Sequence, residues 1–317
     1  MKIVDFNLNH IEQAMQIAAQ NYNTERRFTP LLPELKQWPD FMPFTENGLG
    51  VAAIAEHKLI GYLCSYGTWD NAWDIPGLKH IFSPMHANGT VPEGRAEIYA
   101  RLYQAAGEKW AQAGAASHGI CLYTHDTEGQ AQHFRYGFGM RCIDAIRQMD
   151  DVAALSPLSK EYSIVELKAE ELADVYPLTD LLNKGYRESP FFMLREPVKE
   201  AEFLENALES RSIYFIARYK EQPIAFICAE LDGETCIQNV PGYLHCKGLY
   251  CLPEHRRKGV SQNLLNRLIQ KIKNQGYHYF GTDFESVNPS GSGFWLKHFT
   301  AYTHSLVRRI DENALIS

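Results

Sequence analysis

The order of apolar runs between residues 2 and 149 begins again after residue 160, and this repetition constrains the fold more than any single motif. In the first pass, residues 2–7 (KIVDFN) read as a strand. Asn9, with Glu12 three residues on, opens a helix carrying Ile11, Ala14, Met15 and Ala18 on one face. Runs at 50–55 and 59–66 flank Glu56-His57-Lys58 as an antiparallel hairpin. A strand near 79–82, a long helix over 96–113, a strand at 119–124, a short helix at 129–136 and a strand near 141–149 complete the pass. The second pass has a strand at 163–167, helices at 169–182 and 198–209, and a hairpin of 213–218 with 223–231. Ile3 and Ile164, Ile54 and Ile216, and Ile60 and Ile224 lie 161, 162 and 164 residues apart, close to half of the 317-residue chain. A duplicated unit requires such constancy. The expected organisation is two copies of one α/β (α+β) unit, 1–150 and 161–317, joined by a polar, proline-containing linker at 151–160.

A hydrophobic content of 45% with 22% charged residues gives each unit enough apolar material for a core. The net charge of −7 argues against a general nucleic-acid binder. The seven cysteines form no CxxC pair and lie mostly in strand-like runs, the pattern of reduced, buried thiols in a cytoplasmic protein. Neither a signal-like segment nor an apolar run of 18 residues is present, so no membrane association is expected. The oligomeric state is left open, with a homodimer as the candidate assembly.

Local chemistry points to a ligand at one stretch, 248–274 (GLYCLPEHRRKGVSQNLLNRLIQKIKN). Residues 249–252 read as a buried strand that Pro253 and Glu254 end. The turn Arg256-Arg257-Lys258-Gly259-Val260-Ser261 then starts a helix whose Val260, Leu264, Leu265, Leu268, Ile269 and Ile272 recur at helical spacing. Such a turn leaves backbone N–H groups unpaired with the positive end of a helix dipole behind them, and Gly259 has no side chain to obstruct approach. That arrangement suits a phosphate or pyrophosphate. The competing reading is a solvated basic cap. One glycine is too few for a P-loop or a dinucleotide fingerprint.

The turn resembles Gln/Arg-x-x-Gly-x-Gly/Ala, the acetyl-coenzyme A pyrophosphate loop of the GNAT acyltransferase superfamily, with Arg256, Gly259 and Ser261 at the defining positions. Ser261 departs from the usual Gly or Ala. Asn288, Phe294, Trp295 and Lys297 fall in register with a later family segment. The element order of both halves is that of the GNAT fold, in which a mixed sheet splays and the gap admits the pantetheine arm. The resemblance therefore implies two tandem GNAT-like domains. It implies acetyl-CoA as co-substrate, held by Cys251, Leu252, Arg256, Arg257, Lys258, Gly259, Val260, Ser261, Asn288 and Trp295, with acetyl transfer to an amine of a small molecule or peptide. The first half lacks the loop and reads as a degenerate copy. Its His86, His118, His125 and His133 match no metal-ligand spacing and read as loop and surface residues, so no metal site is expected.

Acyl transfer to an amine needs a proton acceptor and donors for the thioester oxygen. Unpaired N–H groups around Cys251 and Leu252 are candidates for the donors. Trp295 stands where many GNAT members have an acidic Tyr, and an indole cannot replace it as an acid, which leaves water or a tyrosine such as Tyr302. Asp283 and Glu285 are two apart on the strand at 277–285, face one side, and are the candidate bases, with His245 next. The alternatives are solvated strand-end acids, transfer of another acyl or aminoacyl group, and a non-catalytic acyl-CoA-binding or regulatory module.

Overall fold

The computed structural model describes residues 1–153, 155–231, 235–311 and 313; Ala154 of the expected linker lies outside the described residues. In chain order the elements are β1 (Lys2–Asp5), α1 (Ile11–Phe28), α2 (Pro43–Glu46), β2 (Val51–Ala55), β3 (Lys58–Leu63), β4 (His80–Ser83), β5 (Asn88–Thr90), α3 (Arg95–Gln112), β6 (Ser117–Tyr123), α4 (Thr127–Arg135) and β7 (Gly139–Arg147). There follow β8 (Tyr162–Glu166), α5 (Tyr176–Gly185), α6 (Glu200–Glu209), β9 (Ile213–Tyr219), β10 (Gln222–Glu230), β11 (Tyr243–Cys251), α7 (Val260–Asn274), β12 (Tyr279–Glu285), α8 (Pro289–His298) and β13 (Thr300–Arg309). Contacts divide the chain into a first unit, Met1–Asp144 with Phe284–Pro289 and the chain from Ala301 on, and a second, Ala145–Asp283 with Ser290–Thr300.

In the first unit, β1, β2, β3 and β5 form an antiparallel sheet. A second group of strands has β4 parallel to β6 and β6 antiparallel to β13, with β7 beside β13. Helix α3 buries Ile98, Leu102 and Trp110 against Val51, Leu63 and Ile120. The cap lies at Asn7, two residues before the expected Asn9, and belongs to a short 3-10 turn at Leu8–His10 that leads into α1: the Asn7 side chain accepts from the Asn9 N–H (3.0 Å) and His10 Nδ1 accepts from the Asn7 N–H (3.1 Å). The last strand departs from the expected 161–317 unit. From Thr303 to Arg309 it pairs in unbroken register with Tyr123 to Ser117 and buries Leu306 in the α3 core, so packing assigns it to the first unit.

The second unit is a five-stranded sheet in the order β12-β11-β10-β9-β8, antiparallel except for the β11·β12 pair, which α7 connects. Parallel neighbours need such a crossover. All six apolar positions expected on α7 are buried. Tyr214, Ile216, Phe226 and Cys228 face the core of α5 and α6, where Leu178 and Ala207 also pack; alternation leaves Phe215, Ala217, Ile227 and Ala229 for the α7 side. All seven cysteines are free, five of them buried. Among the described residues no helix is long and apolar enough to cross a membrane.

Candidate active site

Strand β11 is longer than sequence indicates, and its partner abandons it half-way. Tyr243 to Cys246 pair with Tyr279 to Thr282 of β12, but beyond Cys246 the strand runs on to Cys251 bonded to β10 alone. A bulge lies at the parting: Ala229 faces Cys246 and Cys228 faces Gly248, so Lys247 is the extra residue. The Leu252 N–H donates to the Ile224 carbonyl (2.9 Å), so it is turned toward β10 and is not a donor for a ligand, contrary to the sequence expectation. Antiparallel alternation then points the N–H groups of Leu249 and Cys251 the other way, into the opening that β12 leaves. Leu249 was missed because its pairing partner cannot be read locally. The Cys251 carbonyl accepts from Arg256 Nε (2.9 Å), tying the turn to the strand end. Burial pushes the Cys251 thiol up to about 11, which keeps it protonated at neutral pH and unsuited to nucleophilic attack.

After β11 the turn reaches α7 through Arg257 (φ 60) and Gly259 (φ +83), both left-handed. The Asn263 N–H bonds the Gly259 carbonyl (3.0 Å), so the N–H groups from Gly259 to Gln262 precede the helical ladder and have no partner within it. Arg257 and Lys258 stand exposed beside them. Gly259 itself is not open on every side. A Cβ there would meet Ser156 Cβ at 3.1 Å and its carbonyl oxygen at 3.3 Å. That segment is bound along α7, Asn263 Nδ2 donating to the Ser156 carbonyl and the Val152 N–H to Asn266 Oδ1, each at 2.9 Å. The glycine is therefore required by its φ and by this packing, before any ligand is considered.

On the α5/α6 face, Gln238, His245 and Asp283 form a chain. Gln238 Oε1 accepts from the Thr235 N–H (3.2 Å), which leaves its Nε2 to donate to His245 Nδ1 (3.1 Å). His245 then carries its proton on Nε2 and donates it to Asp283 Oδ1 (2.8 Å). His245 is buried, whereas the Asp283 side chain keeps 32% exposure. Gly281, opposite His245, lets the strands pass, since a Cβ there would lie 1.6 Å from the Tyr243 hydroxyl. Glu285 is placed otherwise. It belongs to the first unit, where Arg141 Nε (2.7 Å) and a second guanidinium nitrogen (3.3 Å) hold both its oxygens. The Arg141 guanidinium also lies 4.3 Å over the Trp73 ring. The two carboxylates expected to act together on one face of the strand thus each have their own partner, His245 for Asp283 and Arg141 for Glu285.

Trp295 is buried in α8, edge-on to Phe294 and Phe299. Asn288 closes the turn after β12, its N–H on the Glu285 carbonyl (3.1 Å), and lies in the first unit. Tyr302 is fully buried in the sheet of that unit, which excludes it as a ready proton source for a thiolate. The histidines read as loop and surface residues are not so: His86, His118 and His133 are buried. His118 bonds the Tyr103 hydroxyl (2.9 Å) and the Ala115 carbonyl (3.0 Å), and burial lowers it to about 4. Aromatic side chains of α3 surround His118 and His133, and Phe41, Phe44 and Tyr66 surround His86, which local sequence does not show. No group able to hold a metal ion occurs among the described residues. In this unit Asn88 Nδ2 bonds Ser83 Oγ (3.2 Å), the Pro84 carbonyl and the Cys121 carbonyl (both 3.1 Å), filling the place where β5 leaves β4 for the other sheet.

A strand that opens beside a basic helix start is the geometry of a GNAT domain. Residues 176–298, from the start of α5 to the end of α8, match the model of the acetyltransferase (GNAT) family, and the second half of the chain carries a domain of that family. The chain is similar in fold to a GCN5-related N-acetyltransferase from Sphaerobacter thermophilus, with 10% identity over 97% of this chain and 95% of that one, TM-score 0.58. It also resembles a glucosamine N-acetyltransferase region of a fungal multi-domain GH3 β-N-acetylglucosaminidase, with 12% identity over 96% of this chain and 38% of that one, TM-score 0.51. No curated protein matches the sequence.

Proposed function

We propose that the protein is an N-acyltransferase using acetyl-CoA, with its site in the second unit and Asp283 as the base. The observation that carries this reading is the opening between β11 and β12, rooted at the Asp283–His245 pair. The first-turn N–H groups of α7, with Arg257 and Lys258, suit the pyrophosphate. The N–H groups of Leu249 and Cys251 suit the thioester oxygen, where fixed donors act on developing negative charge. A protonated amine must lose a proton before it attacks. Asp283 accepts that proton, while His245 and Gln238 fix its orientation. Glu285, clamped by Arg141, serves the structure.

Thiol release from acetyl-CoA, screened across small amines, amino acids, aminoglycosides and peptides, tests the proposal. Asp283→Asn is expected to lower kcat by about a hundredfold or more, the usual scale for a positioned base, with acetyl-CoA binding retained. Full turnover in that variant excludes Asp283. Acetyl-CoA binding without release for any amine leaves a non-catalytic acyl-CoA module instead.

A further inference from the structure

Between α5, α6 and the ends of β9 and β10 lies a cleft of about 410 Å³, separate from the basic turn. Val198, Phe203 and Ala207 give it an apolar wall, and Ser212, Tyr214 and Glu230 a polar end. Its lining holds two carboxylates, Glu209 and Glu230, and among the described residues no Lys or Arg. Glu209 is exposed, but the Glu230 side chain is only 12% exposed. Burial pushes the Tyr214 phenol up, so that end carries negative charge from Glu230 alone.

A nearly buried carboxylate needs a cation. Glu230 finds it outside the cleft lining, in Lys247 at 3.0 Å, whose side chain is 53% exposed. Ser212 Oγ donates to the other oxygen at 3.2 Å. Lys247 is the bulged residue at the parting of β11 from β12. Glu230 faces His245 across the β10·β11 ladder, and His245 faces Gly281 of β12, so Glu230, His245 and, two residues on from Gly281, Asp283 share one face of the sheet. The polar end of the cleft thus lies on the same face of the sheet as the base, with Glu230 one strand away from His245. An exposed lysine is a weakly held partner that an incoming ammonium can replace at little loss of charge pairing.

We propose that this cleft binds a primary ammonium group on a compact apolar body, with Glu230 pairing the ammonium in place of Lys247. Its role as the acceptor site rests on the transferase reading above; its ligand chemistry does not. Anionic ligands are excluded by the two carboxylates, and neutral ones leave Glu230 to Lys247.

Calorimetry without any acyl donor tests the site, with 2-phenylethylamine as probe and 2-phenylethanol and 3-phenylpropionate as matched neutral and anionic controls. The amine is expected to bind and the controls not. Glu230→Gln should weaken amine binding by about tenfold or more, the scale of a lost charge-assisted pair. Lys247→Met should strengthen it several-fold by removing the competitor, an effect that a purely structural Glu230 would not produce. No binding of the amine to the wild-type protein, equal binding of the alcohol, or unchanged amine affinity in Glu230→Gln overturns the proposal. Amine binding that depends on Glu230 in a protein that ignores acetyl-CoA keeps the cleft and removes the transferase reading.

Discussion

Replacing Gly259 by Ala isolates what the turn before α7 demands of its own residue. At φ +83 an L-residue meets its own backbone, a cost of about 1–2 kcal/mol. The new methyl would press on Ser156 Cβ at 3.1 Å and on its carbonyl at 3.3 Å, closer than ordinary contact. That carbonyl also accepts from Asn263 Nδ2 at 2.9 Å, and displacing it puts at risk a hydrogen bond worth about 1 kcal/mol. The expected loss is therefore about 2–3 kcal/mol. Urea denaturation followed by far-ultraviolet circular dichroism measures it, and hydrogen exchange of the α7 amides places it in the second unit. Ser156→Gly in the same chain should return the methyl-contact part and leave the φ part, so the two changes couple by about 0.5–1 kcal/mol. A Gly259→Ala protein within about 0.5 kcal/mol of wild type refutes the argument from φ and packing.

Other outcomes follow from the same geometry. Leu268→Ala, which opens a cavity on the buried face of α7, should cost about 2–5 kcal/mol in the same denaturation assay. Glu285→Gln should lower stability through the loss of the Arg141 clamp yet leave turnover near wild type, and a matching fall in kcat would return Glu285 to the chemistry. Burial holds His80 at about 3 and His86 and His118 at about 4, below the unfolded value of about 6.5. Neutral histidine is then the folded form, so stability from these groups is complete above pH 6.5 and declines as pH falls through their folded values, by up to about 1.4 kcal/mol per unit for each. His118→Asn should flatten that decline, measured by denaturation between pH 4 and 7. Cys251 should resist iodoacetamide in the native protein at pH 7, judged by peptide mass.

Local patterns carried much of this structure. The six apolar positions of α7, the β9–β10 hairpin and α3 are short-range features, and each stands within a residue or two of where periodicity puts it. What the sequence left hidden depends on distant partners. Strand β13 belongs to the first unit because Tyr123 to Ser117 offer it a register some 180 residues away. The turning of the Leu252 N–H toward Ile224 and away from the opening depends on β10. Asp283 and His245 are 38 residues apart and meet through the β11·β12 pairing, so the carboxylate could be proposed from its place on the strand but its orienting histidine only as a substitute for it. The buried histidines of the first unit stayed hidden for the same reason: His86, His118 and His133 look exposed until the aromatic side chains around them are placed.

The central claim, a single acyl-CoA site at the start of α7, is tested most directly by titrating the full chain with acetyl-CoA in a calorimeter, alongside Ser261→Glu. A carboxylate in the first helical turn favours the helix dipole and should not lower stability, while it repels a pyrophosphate placed there. The account predicts one molecule bound per chain and affinity reduced by about tenfold or more in the variant. A stoichiometry of two, or unchanged affinity in a folded Ser261→Glu protein, contradicts it.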